Sequence, residues 1–74
     1  MSKHYFTFGQ SHVHRVNGKT FDCDCIAVIE ADNHTRAREI AFKNFGPTWC
    51  FSYEQEDWDE KDMRYYPRGY IEVN

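Results

Sequence analysis

The chain opens on alternating apolar and polar positions. His4-Tyr-Phe-Thr-Phe8 is dense in strand-favouring residues, and Gly9 closes it, which predicts a first strand. Period two places Tyr5 and Thr7 on one face and Phe6 and Phe8 on the other. Between Ser11 and Asp24 the pattern weakens. Asn17-Gly18 is a two-residue hairpin signal, because both positions tolerate positive φ. It predicts a short hairpin with arms over 11–16 and 19–22, and a long loop is the competing reading. Cys25-Ile-Ala-Val-Ile-Glu-Ala31 is a run of small and β-branched apolar residues, the signature of a central strand covered on at least one face.

The period then changes from two to 3.6. Asp32-Asn33 supplies an N-cap, and a helix is predicted from about His34 to Phe45. Ala37, Ile40, Ala41, Asn44 and Phe45 form one stripe with Phe42 on its flank. Arg36, Glu39 and Lys43 share the opposite side, where Glu39 can pair with both cations. Gly46 suits the positive-φ cap after the helix, and Pro47 prevents its continuation. Thr48-Trp-Cys-Phe-Ser-Tyr53 reads as a third strand. Its aromatic positions, Trp49, Phe51 and Tyr53, alternate with Cys50 and Ser52 and are expected to pack against the helix. Glu54 to Asp62 holds six acidic residues in nine, one Lys and Trp58, and reads as a solvated loop in which Trp58 is either a partner contact or folded back to cover the core. Met63–Tyr66, a Pro67-Arg68-Gly69 turn and Tyr70–Val73 then make either a closing hairpin or an edge strand. The expected fold is one α+β domain over residues 1–74. It is a small antiparallel sheet of three to four strands with one helix on one face, in the order β-β-α-β with a C-terminal strand as an option.

Composition adds a constraint. A chain of 74 residues buries only about 60% of its unfolded surface, so each core residue counts. Leucine is absent, and six Phe, five Tyr and two Trp must fill the interior. The net charge is −3. That balance disfavours attraction to nucleic acid or anionic lipid. No segment approaches the about 20 apolar residues of a membrane span, and the N-terminus has no signal-peptide pattern. Three cysteines, an odd number, with no export signal point to reduced thiols in a cytoplasm.

The chemistry on offer is limited. No nucleophile elbow, phosphate loop or paired-carboxylate motif frames the His and Cys residues, and a chain this short has little volume for a deep pocket. The expectation is therefore a non-enzymatic protein without a cofactor. His12, His14, Arg15 and Lys19 form a small cationic patch on the predicted hairpin, an alternative site for nucleic acid or a nucleotide-like ligand. If the two arms pair, His12 and His14 could meet Cys23 and Cys25 around a zinc ion, although one residue between the cysteines is closer than structural zinc sites use. The acidic run and the tyrosines that follow it make a stronger surface. Glu56, Asp57, Trp58, Asp59 and Glu60, with Tyr65, Tyr66 and Arg68 beside them, combine steering charge with the residue types that anchor protein interfaces.

Taken together, Tyr5-Phe-Thr-Phe-Gly9, His12-x-His14, Ile29-Glu-Ala31, Ala37-Arg-Glu-Ile-Ala-Phe42, Phe45-Gly46 and Trp49-x-Phe-x-Tyr53 resemble a group of very small phage and prophage proteins. The resemblance covers roughly residues 4–53. It implies a phage accessory protein in a bacterial cytoplasm that binds a host protein, including components of antiviral defence. It carries no catalytic residue. Cys23 and Cys25 lie outside the pattern, which tells against a shared metal site. A monomer and a homodimer formed through the last strand are both compatible with the sequence.

Overall fold

A computed structural model of the chain describes residues 1–47 and 49–73. Its elements are β1 (Ser2–Thr7), β2 (His14–Val16), β3 (Lys19–Phe21), β4 (Cys25–Ala31), α1 (His34–Phe45), β5 (Phe51–Glu54) and β6 (Gly69–Glu72), with 3₁₀ segments at Gln55–Asp57 and Glu60–Tyr65. The main sheet has the order β5-β1-β4-β6, and β2 and β3 form a second, two-stranded sheet. This is the expected α+β class, with a single helix packed on a small sheet. β1 is antiparallel to both β4 and β5, whereas β6 runs parallel to β4. The main sheet is thus mixed, which corrects the expectation of an antiparallel one. Parallel pairing needs a long crossover, and the connection from Asp32 to Arg68, with α1 and β5 in it, provides it.

The helix follows its local punctuation. Asn33 is extended, and its side chain accepts a hydrogen bond from the Arg36 N–H at 2.8 Å. At the other end Gly46 takes φ 63° and donates its N–H to the Phe42 carbonyl at 2.9 Å. Ala37, Ala41 and Phe45 are buried, and Ile40 is half-buried beside them. They pack on Phe6 and Phe8 of the first strand region and on Cys25, Ala27, Ile29 and Ala31 of β4. Alanines on both sides of this interface let helix and sheet approach closely, and phenylalanines fill its ends.

The hairpin closes one of those ends. Asn17 and Gly18 have φ 51° and 78°, the pairing that a two-residue primed turn needs. Phe21 of β3 reaches into the core, where its ring lies 5.8 Å from Phe8 and 5.0 Å from Phe45.

Two further expectations are corrected. The third strand begins at Phe51, and the predicted start at Thr48 lies outside the described residues. Its aromatics also do not share one face. The register sets Thr7 opposite Phe51 and Tyr5 opposite Tyr53, so Phe51 and Tyr53 point away from the helix and Ser52 points toward it. Trp49 alone packs on the helix side, edge-on to Phe6 at 5.0 Å and against Phe42 at 5.4 Å. The cause is local. The N–H groups of Cys50 and Phe51 both point to Thr7, one to its carbonyl at 2.6 Å and the other to its hydroxyl at 3.2 Å. Two consecutive residues facing one partner break the two-residue period, as in a bulge. The second correction concerns the expected solvated loop, which instead contains both 3₁₀ segments and covers the second face of the sheet. Tyr5, Ile26 and Val28 lie beneath Tyr53, Trp58, Met63 and Tyr66. Of the two readings of the C-terminus, the edge strand is the one formed.

Candidate partner-binding face

The sheet separates two differently charged surfaces. On its helix side, α1 carries Arg36, Arg38 and Lys43 against Glu39 alone. Arg36 pairs with Glu39 at 3.0 Å, and the Arg38 guanidinium lies 5.7 Å from the Trp49 ring centre. Over the opposite face lie Glu56, Asp57, Asp59, Glu60 and Asp62, set against Lys61 and Arg64, while Glu54 pairs across from His4 on the helix side.

Trp58 fixes that acidic segment in place. Its ring stacks on Tyr5 at 5.3 Å with 22° between planes, and it tilts against Tyr53 at 5.3 Å and Tyr66 at 6.2 Å. Its indole N–H donates to the Tyr70 hydroxyl at 3.0 Å. The indole is half-buried, and Glu56, Asp57, Asp59 and Glu60 are held around it, all exposed. Asp59 also accepts the Lys61 N–H at 2.9 Å and so starts the second 3₁₀ segment. The Glu56 carboxyl is pushed up from its ordinary value, first by hydrogen bonding with Glu54, then by the charges of Glu54 and Asp57.

Exposed rings border these acids. Phe51 is 60% exposed and Tyr65 is 62% exposed. The Arg64 guanidinium lies 4.8 Å from the Tyr65 ring centre and donates to its hydroxyl at 2.9 Å. Tyr66 is half-buried, and burial raises its phenol above the ordinary range. Arg68 is engaged elsewhere. It pairs with Asp22 at 3.0 Å, and its N–H donates to the Asp24 carbonyl at 2.9 Å, tying the final turn to the loop before β4.

The alternative site on the hairpin is dispersed. His14 lies against Phe8 at 5.8 Å and Phe45 at 5.5 Å. Lys19 donates its ammonium to the Glu72 carbonyl at 2.8 Å. Arg15 is exposed and His12 is half-buried. The four residues considered for zinc do not converge. Cys25 is fully buried with its thiol among the Asp22 and Thr20 backbone groups, and Cys23 points to Asp24 at 3.6 Å. Burial pushes both thiols up, so the thiolates that zinc would require are disfavoured. Among the described residues no group of three or more His, Cys, Asp or Glu side chains could hold a metal ion. No helix among them is long and apolar enough to cross a membrane.

Two features carry no signal in the sequence. One is a hydrogen-bonded line running Ser2 Oγ, His4, His34, Ser52 Oγ, with the two histidine Nδ1 atoms 2.9 Å apart. The other is a cleft of about 220 Å³ lined by Lys3, Tyr5, Val28, Glu60, Tyr70 and Glu72 on the acidic face. Comparison with protein-family models, curated proteins and solved structures finds no match.

Proposed function

We propose that this chain is a non-enzymatic binding module that docks its acidic, ring-bordered face on a basic surface of another protein, and so blocks or redirects it. The observation that carries this reading is one of co-location. The acids of 56–62 and the exposed rings of Phe51, Tyr65 and Tyr70 all belong to the side of the sheet opposite the helix, and the half-buried Trp58, stacked on Tyr5, holds them there. Carboxylates on a fixed support steer a cationic partner, and exposed rings give it contact area at small entropic cost. The resemblance to phage accessory proteins makes a bacterial host protein the partner class to test first, with antiviral defence components among them. Chemically the action is occlusion.

Glu56 and Asp57 are exposed, and the Glu56 contact with Glu54 joins two carboxyl groups whose charges repel, so both serve as probes of the face. Immobilised protein should capture a host protein from bacterial lysate at low salt. The double change Glu56→Lys, Asp57→Lys should cut capture by about tenfold or more, with an unchanged melting temperature. Capture indifferent to both reversal and salt would overturn the reading. Because a cationic partner pulls the raised Glu56 carboxyl back down, binding releases a proton and strengthens as pH rises through that carboxyl's range. Oligonucleotide binding through Arg15 with a steep loss on added salt would instead favour the hairpin.

A further inference from the structure

The structure assigns an anchor point within that face: we propose that the cleft between β1, β6 and the second 3₁₀ segment receives one arginine side chain of the partner. The inference rests on the docking reading above and adds the group that is gripped. Val28 and Tyr5 form the apolar floor of the cleft, at 3% and 8% exposed. Glu60 and Glu72 stand at its rim, and the ion pairs among the described residues involve neither. The Tyr5 hydroxyl belongs to a ring more than nine-tenths buried, yet it has no hydrogen-bond partner among the described residues. Its neighbour Tyr70 differs, since Trp58 already donates to its hydroxyl. The ring is buried, but its oxygen still meets solvent at the cleft, where an incoming donor can reach it.

The occupant must therefore satisfy two carboxylates and a phenol oxygen while covering an apolar floor. Arginine brings five N–H donors in a planar fork, a permanent charge and an aliphatic stem that lies well on rings. An anion would meet Glu60 and Glu72 at the rim. An uncharged apolar group would desolvate both carboxylates without a partner. Lys3 is the one cation on the lining, and the ladder sets it directly across from Glu30. It competes with an incoming cation for the rim carboxylates, although Glu30 across the strands offers it another partner.

The test is an amide NMR titration of the folded chain with N-acetyl-arginine N-methylamide. Saturable shifts are expected at Lys3, Tyr5, Val28 and Glu72. Glu72→Gln should weaken binding by about tenfold, the scale of one lost charge-assisted pair. Lys3→Met should tighten it by removing a competing cation. Three results overturn the assignment: unchanged affinity in Glu72→Gln, weaker binding in Lys3→Met, or equal binding of the uncharged norleucine analogue. Capture of the host protein separates the two claims. If Glu56→Lys, Asp57→Lys abolishes capture while Glu72→Gln changes neither capture nor the arginine shifts, the cleft assignment falls and the docking face stands. If neither variant reduces capture, both fall.

Discussion

His4 and His34 share a single proton between facing nitrogens. With the two Nδ1 atoms 2.9 Å apart, one ring must donate while the other accepts. Ser2 and Ser52 hold the outer nitrogens, and the Phe6 ring stacks parallel to His34 at 6.4 Å. His4 is 2% exposed. Burial first, and then the charge on His34, hold its pKa below the ordinary 6.5, against an opposing pull from Glu54 and the Ala31 carbonyl. The unfolded chain therefore binds a proton at a pH where the folded chain does not. Stability should be full above 6.5, fall as pH drops below it, and level off once folded His4 itself protonates. Urea unfolding midpoints from about pH 7.5 to about pH 5 should show this slope, and His4→Gln should flatten it. A slope unchanged in His4→Gln would assign it to other groups. Nothing local in the sequence marks these two histidines. Their meeting depends on Ser2 registering with Ala31 and on the helix starting at His34, and both are settled by pairing across the fold.

At the scale of elements, local punctuation decided what was readable. The helix bounds follow from Asn33 and Gly46, and the hairpin follows from Asn17-Gly18, because each signal acts within a few residues of itself. Asn33→Ala should cost about 1 kcal/mol by leaving the Arg36 N–H without its acceptor. For a domain of this size that lowers the melting temperature by roughly 4–8 °C, measurable by circular dichroism. Asn33→Ser should recover most of the loss, since Ser also caps. The third strand was harder to read because its error began in another element. Thr7 gathers two successive N–H groups, and this moves Trp49 to the helix side and Phe51 to the opposite one. A strict alternation rule applied to 48–53 has no means of detecting a partner more than forty positions away.

At the scale of the molecule, the sequence pointed to a sheet covered on one side, and the structure covers it on both. The apolar character of Ile26 and Val28 was legible, and Trp58 folding back on the core was one of two readings, but the part of Met63 and Tyr66 in that cover was not. The acidic segment reads as solvated because most of its side chains are, and Trp58 and Met63 are what turn it inward. The candidate face was legible as a run of acids and rings. The cleft within it was not, because Lys3, Glu60 and Glu72 come from three distant parts of the chain. The same distance governs assembly. The first strand occupies an inner place in the main sheet, where His4 pairs with Glu54 and Ser2 with Ala31, while Cys25 waits for Gly69. Among the described residues the one tight hairpin, β2–β3, stands outside that sheet. Loop closure must therefore precede nearly every rewarding contact, and stopped-flow refolding should fall in the range of about milliseconds to seconds rather than microseconds. A ribosome emitting this chain would hold β1 unpaired on one side until β4 had followed and on the other until β5 had, so the interval before burial is built into the strand order itself.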